Sequence, residues 1–230
     1  MCARFGLEQG ILPFLELLGI VPEDAATPPP NIASGRPTDP VAVVLRNPRS
    51  RQIELRYPRW GLVSHKSTGP LDRDGKPLIN ASAEGIADKW SFDVPFRRRR
   101  CIMPMMGFHE SSKIEKSKHL FSMADGSCMG VAALWDYRKL DDGKSLVSCT
   151  MITTAANDLV AKVHHRMPAI LRPEDYLRWL DLDLQDEDEL NAMLEPFDPN
   201  LMRGEFVGML ASAKKAEKVQ AAEEQEPLFV

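Results

Sequence analysis

CMGVAALWDYRKLDDGKSLVSCTMITT (128–154) holds two apolar runs, CMGVAALW (128–135) and SLVSCTMITT (145–154), joined by the polar segment KLDDGK (139–144). Both runs read as strands and the segment between them as a turn. RCIMPM (100–105) and HLFSMA (119–124) read the same way, with SSKIEKSK (111–118) as a polar turn. Upstream, VAVVLR (41–46) and QIELRY (52–57) flank NPRS, a turn signal, and predict a β-hairpin that WGLV (60–63) follows at once.

Helical signals lie between and after these strands. Residues 7–19 have apolar positions at helical spacing with a Pro interruption. INASAEGIADKW (79–90) begins extended and turns helical. AANDLVAKVH (155–164) reads as a helix N-capped by Thr153 or Thr154. PEDYLRWL (173–180) opens with Pro and acids, and 185–195 continues as an acidic helical segment. Residues 21–40 and 64–78 read as loops. The fold class expected is α+β, one domain over 1–210, with a charged tail over 211–230.

The 230 residues are 43% hydrophobic and 27% charged, which suits a buried core and excludes global disorder. The longest apolar run, ILPFLELLGIV, is broken by Pro, Glu and Gly and is too short to span a bilayer. No basic segment precedes a long apolar one, so no secretory or lipoprotein signal is expected. Four cysteines, Cys2, Cys101, Cys128 and Cys149, stand far apart with no C-x-x-C pair. That spacing disfavours a zinc site or disulfide framework and fits a cytosolic (cytoplasmic) chain with free thiols. No G-x-G-x-x-G or P-loop occurs. The net charge of -4 is uneven: residues 1–110 carry 15 Lys and Arg against 12 Asp and Glu, whereas 111–230 carry 14 against 21. The first part can offer a basic surface to a phosphate backbone.

Several residues have the chemistry for a site. Cys2, if Met1 is removed, carries a free α-amine beside a thiol, both partly nucleophilic at neutral pH. An amine condenses with an aldehyde to a Schiff base, and the adjacent thiol can close a thiazolidine ring; the same terminus suits an amidohydrolase nucleophile. Glu110 follows Gly-Phe-His at the end of an apolar strand, where sites are often built. His164 and His165, in KVHHRMPAIL, are candidate proton shuttles or helix C-terminal caps. Asn80 could hold a sugar oxygen or serve as a turn residue. Arg97 to Arg100 form a basic run that suits phosphates or a solvated face, and Trp60 is a stacking or a core residue.

The order of these signals is more specific than any one of them. MC-x-RF at the start, PNIA (30–33), WGLV (60–63), PLINASAE (77–84), F-RRRRCIMP-x-x-GFHE (96–110), VAALWD (131–136), TMITTAAN (150–157) and HHRMPAIL (164–171) together resemble the SRAP family, the SOS-response-associated peptidase fold. The resemblance runs from residue 1 to about 180. It implies a single domain with a β-rich, barrel-like core and peripheral helices. It also implies a sensor of abasic sites in single-stranded DNA, in which Cys2 forms a thiazolidine DNA–protein crosslink after loss of Met1. By motif, Asn80, Glu110 and His164 are the assisting residues, Arg4 and Trp60 match DNA contacts, and Ser82, Arg97 and Arg98 join them as candidate DNA-binding positions. The chain is expected to act as a monomer, without membrane, cofactor or metal.

Four positions depart from the family pattern. Ala3 stands for a Gly, Ser82 for an Arg, Ser111 for an aromatic and Ser34 for a Pro. The chemical residues are kept while the DNA-handling shell is thinned. Two other readings therefore stand beside the crosslinker: a thiol autopeptidase or amidohydrolase at Cys2, and a non-catalytic DNA-binding paralogue.

Overall fold

The computed structural model describes residues 5–7, 11–20, 34–68, 77–140 and 143–210; Cys2, Ala3, Arg4 and the expected tail at 211–230 lie outside the described residues. In chain order the elements are β1 (Phe5–Gly6), α1 (Ile11–Leu17), β2 (Ser34–Gly35), β3 (Val43–Arg46), β4 (Ile53–Arg56), β5 (Arg59–Trp60), β6 (Asn80–Ser82) and α2 (Asp93–Arg98). There follow β7 (Arg100–Met105), β8 (Gly107–Ser112), β9 (Ser117–Met123), β10 (Met129–Lys139), β11 (Ser145–Ala155), β12 (Arg166–Pro168), α3 (Tyr176–Trp179), α4 (Glu187–Ala192) and β13 (Met202–Met209).

The strands form two sheets. One runs β13-β9-β8-β1-β2; the other runs β12-β11-β10-β7-β3-β4, with β5 and β6 laid parallel against β11. Together they make a half-barrel with a few helices around it, the α+β class expected. The hairpin predicted over 41–57 is present, with Val43 opposite Arg56 and Arg46 opposite Ile53.

The apolar runs of the sequence have a simple cause. Along β7, β10 and β11, Cys101, Met103, Val131, Ala133, Cys149 and Met151 point into one apolar cluster, and Ile102, Ala132, Leu134 and Ile152 point into another. The larger sheet is covered on both faces, so its central strands show continuous hydrophobicity instead of alternation. The first cluster faces the smaller sheet through Phe5, Phe108 and Phe121. The second lies under α1, α3 and α4 through Phe14, Leu15, Trp179 and Leu190.

Arg100 ties the helices to the sheet. It is fully buried, and its guanidinium donates to the carbonyls of Trp179 (2.8 Å), Phe96 (2.8 Å), Arg97 (3.0 Å), Leu184 (3.1 Å) and Asp181. It also sits 5.7 Å over the Trp179 ring. Burial pushes its pKa down to about 10, so it stays charged at neutral pH and each donor needs its acceptor.

Three local expectations are corrected. Pro13 falls in the first turn of α1, where an N–H has no helical acceptor anyway, so it interrupts nothing. Thr153 and Thr154 are strand residues of β11 and not helix caps; after Ala155 only a 3-10 turn at Val160–Lys162 forms, with Asn157 Oδ1 accepting from the Val160 N–H at 3.0 Å. Glu110 is not at a strand mouth: β8 continues through Ser112, so the carboxylate projects from mid-strand.

Candidate active site

Strand β11 organises one side of the site. One edge of β11 is covered in turn by β5 at Ser148 and Cys149 and by β6 at Met151 to Thr153, while β12 pairs with its opposite edge at Thr153 to Ala155. Asn80 is thereby set beside Met151 and Ser82 beside Thr153, while Arg166 lies opposite Ala155. Two motifs far apart in sequence meet at this end of one strand. An ion pair closes the junction: Arg166 donates to Glu84 Oε1 at 2.5 Å and to the Thr153 carbonyl at 2.5 Å. The Arg166 hydrogen bond holds the Glu84 carboxyl below its usual range.

His164 is fixed by the residue two positions on. The Arg166 N–H donates to Nδ1 at 3.1 Å, which leaves the proton of a neutral ring on Nε2. The Arg166 carbonyl lies 3.2 Å from the same nitrogen. The His165 ring stacks on His164 with centroids 4.4 Å apart.

Glu110 comes from the other sheet. Its residue is 5% exposed, and its strand neighbour across the ladder is His119. On the opposite edge of β8 lies β1, with Phe5 facing Phe108 and Gly6 facing Gly107. Phe108 shares an apolar cluster with Met151 and Met167, the strand residues beside Asn80 and beyond His164. Asn80, Glu110 and His164 therefore stand on elements that bound one core. Among the described residues no three His, Cys, Asp or Glu side chains converge to hold a metal ion. Among them, too, no helix is long and apolar enough to cross a membrane.

The family model described as SRAP, SOS response associated peptidase, matches residues 1–209. The chain belongs to the SRAP family. Among its relatives is the abasic site processing protein YoqW of Bacillus subtilis (strain 168), 29% identical over 224 residues that cover 94% of this chain and 96% of that protein. The abasic site processing protein YedK of Escherichia coli (strain K12) is 26% identical over 191 residues, 82% of this chain and 83% of its own. A solved structure from Bacteroides thetaiotaomicron superposes with a TM-score of 0.76 at 21% identity, covering 90% of this chain and 92% of that one; the likeness is one of fold.

The remaining candidates of this SRAP chain separate. Trp60 is fully buried, its indole N–H donates to the Ile79 carbonyl at 2.8 Å, and its ring meets Phe5 edge-on at 5.3 Å. Of the two roles read for it from the sequence, stacking or core, it takes the core position. The arginine run does not act as one patch. Arg100 is buried, Arg97 pairs with Glu187, and Arg99 pairs with the buried Asp136. Arg98 alone is exposed and has no ion-pair partner among the described residues. Ser82 is half-buried, and its carbonyl accepts from Lys89 Nζ at 2.9 Å. Lys89 also donates to the Glu84 carbonyl at 2.7 Å, so a cation stands at the strand end where the family pattern places Arg. Glu84, Lys89 and Arg166 are the residues that sequence reasoning missed. The signal for two of them was present, since Glu84 ends PLINASAE and Arg166 lies in HHRMP.

Proposed function

We propose that this protein captures abasic sites in single-stranded DNA as a covalent thiazolidine, through Cys2 once Met1 is removed. The observation that carries the reading is the pairing of Phe5 with Phe108. Cys2 precedes Phe5 by three residues, a reach of at most about 11 Å. Passing back from Phe5 along the antiparallel ladder follows the same direction as passing from Phe108 to Glu110. In this reading Cys2 works within that reach of the anchored Phe5, next to the buried Glu110 carboxylate. The names of the SRAP relatives add support, because YoqW and YedK are abasic site processing proteins.

The chemistry balances without a cofactor. The Cys2 amine attacks the aldehyde carbon of the ring-opened sugar, and loss of one water leaves a Schiff base. Sγ then adds to that carbon, and the thiol proton passes to nitrogen as the five-membered ring closes. In this reading Glu110 takes a proton from the amine and returns it to the departing oxygen. His164 protonates the sugar oxygen as the ring opens. Asn80 orients the amine and aldehyde through its amide.

The test is a denaturing gel with abasic single-stranded oligonucleotide. A covalent band is expected for the wild type, with none for Cys2→Ala and at least tenfold slower formation for Glu110→Gln and His164→Gln. Intact crosslinking by Cys2→Ala contradicts the reading. Peptide cleavage dependent on Cys2, with no DNA product, establishes the amidohydrolase alternative in its place.

A further inference from the structure

At the start of β11, away from Asn80 and His164, lies an open groove of about 860 Å³ between the β3–β4 hairpin, the end of α2 and the β10–β11 hairpin. Trp135, Tyr137 and Tyr57 line it with Arg49 and Arg98. Trp135 and Tyr137 share the face of β10 that carries Val131 and Ala133, so the groove continues the interior face of the half-barrel to its mouth.

The charges in the groove fall into two classes. Glu54, also in the wall, is taken up: Arg56 Nε donates to it at 2.9 Å and Asn47 at 2.9 Å. Arg99 is neutralised by Asp136 and lies 4.8 Å over the Tyr137 ring. Arg49 and Arg98 are exposed, and neither guanidinium has an ion-pair partner among the described residues. The Trp135 indole N–H is buried and has no acceptor among the described residues. Two guanidiniums without ion-pair partners and aromatic walls make a site for phosphates carrying planar rings.

We infer that this groove is a second contact for single-stranded DNA, with Arg49 and Arg98 on phosphates and the aromatic wall against a base. The inference rests on DNA being the partner and extends its path beyond the lesion. Along β11 from Val147 to Met151, Asn80's neighbour, is roughly 13 Å. That spans up to about four nucleotides at the ~3.4 Å rise of a stacked strand, and fewer in an extended one. The groove therefore holds the strand flanking an abasic site, not the abasic sugar.

Undamaged 20-mer oligothymidylate tests it by fluorescence anisotropy across a salt series. The Arg49→Gln/Arg98→Gln protein is expected to bind about tenfold more weakly, with a slope of log Kobs against log salt reduced by about 1.4, the value for two lost single-strand phosphate contacts. Oligothymidylate is expected to quench the wild type and to quench Trp135→Phe less. An unchanged slope in the double variant overturns the inference. So does competition by thymidine monophosphate as strong as by the oligonucleotide, which marks a free-nucleotide site. Cys2→Ala separates the two claims, since it loses any covalent product and keeps the full slope. A groove-dependent slope without covalent product in the wild type leaves the groove standing and removes only the abasic chemistry.

Discussion

Phe5 stands directly opposite Phe108 in the β1–β8 ladder, two residues before Glu110, and its ring packs edge-on against Trp60. A strand of two residues is held by burial more than by its hydrogen bonds, because Phe5 is inaccessible to solvent. Holding β1 against β8 is therefore the task of one side chain. Phe5→Leu and Phe96→Leu, both fully buried in the wild type, are expected to cost about 1–2 kcal/mol each in urea unfolding. Only Phe5→Leu is expected to slow crosslinking at temperatures where both remain folded. Equal slowing by both variants argues against the tether.

Gly107 faces Gly6 across the same ladder, and a Cβ on it would meet the Phe121 backbone oxygen at 2.8 Å. The obstacle is backbone, so it cannot swing away. Gly107→Ala is expected to push β8 from β9, destabilise by about 1–3 kcal/mol and reduce the covalent product through the displaced Glu110. Urea denaturation and the crosslinking gel read the two effects.

The described cysteines are poor nucleophiles. Burial pushes the Cys128 thiol up to about 12 and raises Cys101 and Cys149 well above the usual thiol range. At pH 7.5 iodoacetamide is expected to leave all three unmodified in the folded protein. Fast single alkylation that vanishes in Cys2→Ala is the expected result by peptide mass mapping. Rapid labelling of Cys128 contradicts it.

The Glu84–Arg166 pair sets a pH dependence. The Glu84 carboxyl is lowered mainly by its hydrogen bond to Arg166, so the pair's contribution is complete above the ordinary value of 4.5 and is lost as pH falls through the lowered one. Glu84 is largely exposed, which limits its worth to under about 1 kcal/mol. Glu84→Gln is expected to narrow the stability difference between pH 6 and pH 3, and to slow crosslinking at pH 7 through looser placement of His164. An identical pH profile in wild type and variant removes this role.

Lys89 offers the cation that Ser82 does not. Lys89→Gln is expected to lower the salt slope of single-stranded DNA binding by about 0.7, one phosphate contact, without changing the rate at saturating DNA. A full slope in the variant assigns Lys89 to the carbonyls of Ser82 and Glu84 alone.

What the sequence disclosed follows from which signals are local. Hairpin β3–β4 carries its own turn, and β7, β10 and β11 carry unbroken apolar runs, so these strands were legible. Strand β13 was not: MRGEFVGM has two glycines and seven exposed or half-exposed positions in a row at a sheet edge, leaving no apolar pattern. The arginine run looked like one patch because its partners are remote. Arg97 finds Glu187, Arg99 finds Asp136 and Arg100 finds carbonyls around residue 180. Asn80, Glu110 and His164 were legible as motifs, whereas the strand that gathers Asn80 and His164 is visible only in the β11 register.

Intact-mass spectrometry of the wild-type protein before and after incubation with abasic single-stranded oligonucleotide tests the central claim most directly. The account requires a protein lacking Met1 that converts to a species equal to protein plus oligonucleotide less one water, stable to denaturation and absent with Cys2→Ala. A protein that retains Met1 and gains no mass, or an adduct that forms equally with Cys2→Ala, contradicts it.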